Sequence, residues 1–408
     1  MPMALAHLRT HDRRISSVSD PTTSKTEPLD PYDAILLVSF GGPEAPEDVL
    51  PFLENVTRGR GIPRERLTEV GEHYYLFGGR SPINDQCRQL LAALRAELDA
   101  RGIGLPLYWG NRNWTPYLSD AFTELVSAGH RRVLAMVTSA YPSYSSCRQY
   151  RENLYDAARG LPVEVDRIRH YATHPGFVTA SIDATVNALD ELGEKADDAR
   201  LLFVTHSIPV AMASAAGPEP RSAQGAYVDW HLAVAAEVTR QVAERRGRSY
   251  EHELVYCSRS GPPQQPWLEP DVNDRLRELA SAGTSSVVLV PIGFISDHME
   301  VIFDLDTEAV HTAADCGVRL VRAATAGTHP AFISALADLL VERAAATRDE
   351  ATVPQVITGG ERGWFTCQPD CCPNPFDPDR PALCSATPAA TSAAGRGDGQ
   401  ISRLFMPM

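Results

Sequence analysis

The sequence predicts an α/β protein made of two doubly wound halves, each a parallel sheet flanked by helices. Short β-branched and leucine-rich runs alternate with longer segments of helical periodicity, the pattern of βαβ units around a parallel sheet. Four such runs recur at similar spacing in each half. With 408 residues, 43% hydrophobic and 22% charged, the chain is long enough for two domains of ordinary size plus tails.

The opening stretch, residues 1–31, mixes His, Arg, Ser, Thr and Pro without the apolar core of roughly 7–15 residues that marks a secretory signal, and reads as a flexible, solvated tail. A first domain is expected over 32–174, with strands at Ile35 to Phe40, Leu105 to Trp109, Arg132 to Val137 and Val163 to Ile168. A second is expected over 175–346, with strands at Leu201 to His206, Glu253 to Cys257, Ser285 to Pro291 and Val318 to Val321. Between the two, Thr173, His174 and Pro175 read as a linker. Gln86 to Arg101 sets Leu90, Leu91, Leu94 and Leu98 on one helical stripe, and Ala331 to Arg343 does the same with Phe332, Leu336, Leu339 and Leu340. These are core faces. Beyond Thr347 the periodicity stops, so 347–408 is expected to be a cysteine-containing extension, with Ser385 to Gln400 a low-complexity tail.

Charge and cysteine usage exclude several functions. A net charge of −14 offers no surplus of Lys and Arg for phosphate, which argues against a nucleic-acid partner. The richest apolar run, Val287 to Ile295, is broken by Pro291 and Gly293, so no membrane-spanning segment is expected. Without an export signal the chain reads as cytoplasmic, and its eight cysteines are better suited to metal ligation or burial than to disulfides.

Two segments could carry chemistry. Phe203-Val-Thr-His206-Ser-Ile-Pro209 is an apolar strand ending in a histidine, and in open parallel sheets ligands bind beyond the carboxyl ends of strands. Read alone, such a histidine serves structure as readily as chemistry; as neutral imidazole it could accept a proton or ligate a metal. The second segment, Asp297-His298-Met-Glu300, follows another buried run, and Glu300, Asp304 and Glu308 recur every four residues, forming one acidic stripe on a helix. A solvated face is the plain reading. Yet no Lys or Arg lies between Val301 and Thr312, so the stripe repels itself unless a cation visits it, as a partly hydrated divalent ion would.

Leu37-Val-Ser-Phe-Gly-Gly-Pro-Glu44, Phe77-Gly-Gly-Arg-Ser-Pro-Ile-Asn84, Tyr108-Trp-Gly-Asn-Arg-Asn-Trp114, Ser258-Arg-Ser-Gly261 and Trp267-Leu-Glu-Pro270, together with the two segments above, resemble ferrochelatases in order, from about residue 33 to about 345. The resemblance implies a chelatase-type fold of two similar Rossmann-like domains with a porphyrin cleft between them, and insertion of ferrous iron as the activity. It implies His206 and Glu300 as the catalytic pair, with Glu300, Asp304 and Glu308 as the metal row. It also puts Phe40, Ser81, Asn113 and Tyr144 around the macrocycle, and Arg58 and Arg60 near its carboxylates. The sequence departs from common members in Phe40 where many carry a tyrosine, Asn113 where some carry a histidine, and Cys257 where a glutamine is usual.

The chain lacks the hydrophobic lip of protoporphyrin-using members, because Phe52-Leu53-Glu54-Asn55 leads directly into Thr57-Arg-Gly-Arg60. It resembles the coproporphyrin III-using branch of Gram-positive bacteria, in which Arg58, Arg60, Arg112 or Arg148 would meet the propionates; protoporphyrin IX, or a non-catalytic porphyrin carrier or redox sensor, are the alternatives. In the extension, Cys367-Gln-Pro-Asp-Cys371-Cys372 and then Cys384 would suggest zinc from spacing alone. Some ferrochelatases hold a 2Fe-2S cluster there, and by that resemblance the ligands are Cys147, Cys367, Cys372 and Cys384, with Cys371 as alternate. Cys87 and Cys316 are expected to be inert. A monomer is expected, in transient contact with the next enzyme of the haem pathway.

Overall fold

The computed structural model describes residues 27–59, 61–261 and 264–385. Arg60, most of the N-terminal tail and the stretch beyond Ser385 lie outside the described residues.

Eight strands form two four-stranded sheets, each parallel throughout. In the first, β1 (Ala34–Ser39), β2 (Leu107–Asn111), β3 (Arg132–Val137) and β4 (Glu164–Arg167) lie in the order β2-β1-β3-β4. The second repeats that order as β6-β5-β7-β8, with β5 (Arg200–His206), β6 (His252–Cys257), β7 (Ser286–Val290) and β8 (Arg319–Arg322). Every residue of β1 and β7 is buried, as expected for strands covered by helices on both faces. All eight anticipated runs contain a strand, displaced at most by a residue or two. Proline explains two of these offsets: Pro106 and Pro291 have no N–H to give a ladder, so β2 begins after the one and β7 ends before the other.

The helix Ile83–Ala100 buries Cys87, Leu90, Leu94 and Leu98, and the helix Pro330–Thr347 buries Phe332, Leu336, Leu339 and Leu340. They pack on each other although they come from opposite halves, and Arg101 Nη1 donates to Asp338 Oδ1 at 2.6 Å across the seam. One hydrophobic cluster runs through both halves, taking in Leu94, Phe177, Phe203 and Phe332. The expected linker is correspondingly buried: Thr173 is inaccessible, and His174 Nδ1 accepts the Gly176 N–H to cap the helix Pro175–Leu192.

The extension from Asp349 to Ser385 contains no helix or strand beyond one isolated bridge, Cys367 to Ser385. It is nevertheless packed on the body, with Ile357, Cys367, Cys371 and Cys372 joining the shared cluster. No helix among the described residues is long and apolar enough to cross a membrane.

Gly293 permits the closest approach next to the candidate site. Its N–H donates to Val204 O at 3.1 Å, and a Cβ built there would lie 2.1 Å from Thr205 Oγ1. Gly293→Ala is therefore expected to destabilise the fold by about 1–3 kcal/mol through overpacking, read as a lower midpoint in denaturant unfolding.

Candidate active site

In each sheet the chain runs outward in one direction and then returns to the other side of the first strand, so a crevice opens beyond the carboxyl ends of β1 and β3, and another beyond β5 and β7. His206 is the last residue of β5. Glu300 follows β7 and stands immediately before a π-helix, Val301–Ala309. Because β5 and β7 are neighbours, the two side chains meet: His206 Nε2 lies 3.4 Å from Glu300 Oε1. Both are partly exposed, as residues facing a cleft would be.

Burial opposes charge on His206, but the adjacent Glu300 carboxylate, its hydrogen bond and the Ser207 carbonyl at Nδ1 outweigh it, so the imidazolium persists to about 9. Burial likewise opposes ionisation of Glu300; the charge and hydrogen bond of His206, aided by His298, hold it down at about 2. The pair is thus imidazolium and carboxylate at neutral pH. Asp304 is one turn on. Burial pushes it up to about 7 against the pull of a Ser258 hydrogen bond, and the charges of Glu300 and Glu308 add to the rise. Glu308 is exposed at the far end of the row. The expected α-helical stripe is in fact a π-helix, whose wider turn still keeps Asp304 within electrostatic reach of both neighbours.

Sequence reasoning missed three supporting residues. His298 accepts the Glu300 N–H at 3.2 Å and lies 3.9 Å from its Oε2; its place two residues before Glu300 was the available signal. Ser258 adopts φ of 62°, a conformation that non-glycine residues rarely take, and directs its hydroxyl to Asp304. Tyr227 donates to His206 O at 2.8 Å and shares a hydrogen bond with Thr205, bracing the end of β5 from below.

The residues that the resemblance put around the macrocycle gather at the ends of β1, β2 and β3. Phe40 follows β1, edge-on to Phe52 and beneath the Arg112 guanidinium. Asn113 has a buried Nδ2 with no hydrogen-bond partner among the described residues. Ser81 is buried, and its hydroxyl accepts the Ile83 N–H at 3.4 Å. Tyr144 begins a π-turn, Tyr144–Arg148, and touches Phe376 of the extension. Arg58 is exposed. Arg148 is not available to a propionate, because it is buried between Glu152 and the Arg380 carbonyl. Arg112 is held by Asn153 and stacked on Tyr150. A cavity of ≈ 430 Å³ opens between the halves, bounded by Gln86, Leu90 and Thr138 on one side and Ile295, Asp297 and Thr325 on the other.

The cysteines converge between body and extension. All are free thiols: those of Cys147 in the π-turn and of Cys371 hydrogen-bond to Cys367, and the sulfurs of Cys371 and Cys372 are 3.8 Å apart. A left-handed backbone at Cys372, φ of 51°, turns both thiols to one side. Cys384 is close by, its thiol against Val165 O at 3.6 Å and its carbonyl bonded to the Cys367 N–H. Sulfur receives N–H groups from Trp364 and Arg167 at Cys367, and from Gly217 at Cys372. Hydrogen bonds from Cys147 and Cys371, with Arg167 nearby, hold the Cys367 thiol well below its ordinary range. Among the described residues no three His, Cys, Asp or Glu side chains already stand as a formed metal site. Cys87 is a core residue donating to Ser39.

Two parallel sheets with a histidine and a carboxylate meeting at a strand crevice define a chelatase-type α/β enzyme. The ferrochelatase family model matches residues 32–344, and the chain belongs to that family. It is 53% identical over 351 residues to a protein named coproporphyrin III ferrochelatase from Streptomyces coelicolor, covering 84% of this chain and 94% of that one. A namesake from Leifsonia xyli is 50% identical over 384 residues, covering 89% and 96%. Among solved structures, SirB from Bacillus subtilis with Fe3+ aligns at a TM-score of 0.45 and 12% identity, covering 78% of this chain and 97% of that one.

The electrostatics of the pair can be read directly. In Glu300→Gln the carboxylate that contributes most to sustaining the imidazolium is gone, leaving the Ser207 carbonyl and Asp304 to oppose burial, so His206 should titrate below about 9, as followed by NMR of the imidazole protons.

Proposed function

We propose that this ferrochelatase inserts ferrous iron into coproporphyrin III to give coproheme for haem b biosynthesis. The observation that carries the proposal is the His206–Glu300 contact at the strand crevice, with the acidic row leading to it, in a chain half identical to proteins of that name.

Insertion requires that two pyrrole protons leave and that the ion sheds water. The row Glu308, Asp304, Glu300 supplies hard oxygen donors in sequence, so each water lost is replaced by a carboxylate oxygen. A dication arriving beside Glu300 displaces the proton from His206, because it competes for the same carboxylate and repels the imidazolium. His206 and Glu300, freed from each other, then accept the pyrrole protons or ligate the ion, acting as one unit. Phe40 cannot ligate the metal as a tyrosine could, so it offers the macrocycle only a flat apolar contact. Arg58, which is exposed, would meet a propionate.

The cysteine site supports a second reading, a 2Fe-2S cluster held by Cys147, Cys367, Cys372 and Cys384, with Cys371 as alternate. The donor set fits: soft thiolates converge, N–H groups reach the sulfurs, and cationic side chains surround them. When bound, such a cluster supplies one-electron chemistry. The residues themselves tie the extension to the π-turn that carries Tyr144.

An anaerobic assay with Fe(II) should show coproporphyrin III consumed faster than protoporphyrin IX, with Zn(II) inserted as well, since imidazole and carboxylate discriminate poorly among these metals. His206→Ala and Glu300→Gln should each lower kcat by roughly 10²–10⁴. Turnover of neither porphyrin would falsify the enzymatic reading and leave a carrier. Anaerobically purified protein should show thiolate-to-iron bands in the visible spectrum, lost in Cys147→Ser; their absence from the unmodified protein would remove the cluster.

A further inference from the structure

Arg151 and Arg167 are among the most buried cations in the chain, at 1% and 4% exposure. A buried guanidinium is ordinarily paired with a carboxylate, because an unpaired charge in the interior is costly. Among the described residues neither of these two has such a partner. Arg167 donates to the carbonyls of Ile168 and Trp364 and to Cys367 Sγ at 3.0 Å. Arg151 donates to Leu383 O and Ser385 Oγ. The nearest carboxylates are engaged elsewhere, Glu152 with Arg148 and Arg380, and Asp166 with Arg343 and Tyr32. Arg167 Nε and Arg151 Nη1 have no partner, and both side chains line a cavity of ≈ 10 Å³ whose wall includes Cys147. That volume admits about one water-sized body.

We propose that Arg151 and Arg167 are the built-in counter-charge of the thiolate centre, positioned by the body of the protein to neutralise a dianionic group and to set its reduction potential. The inference rests on the cluster reading. Four thiolates around an oxidised 2Fe-2S core sum to a dianion, and two guanidinium groups balance it. Reduction adds one electron and one negative charge. Positive charge fixed nearby favours the reduced state, so removing it makes reduction harder. The arginines come from α-helix Gln149–Ala158 and β4, while Cys367, Cys371, Cys372 and Cys384 come from the extension, so the counter-charge also fixes where the extension docks.

The test compares anaerobically purified wild type, Arg167→Gln, Arg151→Gln and Arg167→Lys, with circular dichroism as the control for folding. Midpoint potentials are read from the visible bands during redox titration. The glutamine variants should show at least a tenfold smaller equilibrium constant for reduction, a shift of about 59 mV to more negative potential for a one-electron couple. Arg167→Lys should stay close to wild type. Bands present with unchanged potentials in the glutamine variants would overturn the proposal and leave the cluster intact. Should Arg167→Gln lose the bands while folded, retention in Arg167→Lys supports the counter-charge, and loss in both overturns it. A wild type without bands overturns this proposal together with the cluster reading.

Discussion

The parallel pairing of β5 with β7 is the constraint on which the rest of the site depends. It sets Phe203 against Val290, so the two strands end side by side, one in His206 and the other in the turn that leads to Glu300. Gly293 lets that turn fold back onto Val204 and Thr205, a contact no larger residue could make without displacing the strand. The first half repeats the arrangement with β1 and β3, whose ends carry Phe40 and the approach to Tyr144. A flat ligand between the two crevices would have a wall with Phe40 and Arg112 on one side and the acidic row with His206 on the other. The division follows from applying one topology twice with different residues at the strand ends.

The acid row gains its character from burial in unequal degree. Glu300 is ionised because the His206 imidazolium faces it; Asp304 is raised because burial outweighs the hydroxyl that the strained backbone of Ser258 delivers and the weaker pull of His206. Glu308 is left in solvent. Neighbouring carboxylates of the row are therefore pulled in opposite directions, Asp304 upward by burial and Glu300 downward by its ion pair.

Much of the fold was legible because parallel strands buried on both faces leave long apolar runs, and because leucine spacing on Ile83–Ala100 and Pro330–Thr347 admits one reading. His206 was visible as a polar residue ending such a run, and Glu300 as the head of a spaced row. What stayed hidden depends on three-dimensional contact. Arg148 pairs locally with Glu152, but its bond to the Arg380 carbonyl is made across 232 residues of chain, and that contact, which helps bury the arginine away from the cleft, leaves no local pattern. Ser258 looked ordinary because backbone strain leaves no mark in composition. Cys371 was set aside as the alternate ligand, and the left-handed backbone at Cys372, where the two sulfurs come within 3.8 Å, leaves no mark in the spacing. The extension offered no periodicity, because irregular turns and scattered bonds to the body hold it in place of a helix or a strand.

The seam formed by the helices Ile83–Ala100 and Pro330–Thr347 bears on how a large planar molecule enters. With Leu94, Phe177 and Phe332 in one continuous core, prising the halves apart would wet the best-packed part of the molecule. The cleft behaves as a slot cut in a single block, not as a jaw. Entry and exit are then left to the pieces at its mouth: the Tyr144 turn, the π-helix and the Ser258 segment. The π-turn is itself pinned by the C-terminal extension, so a remote tail has a mechanical hold on one edge of the slot.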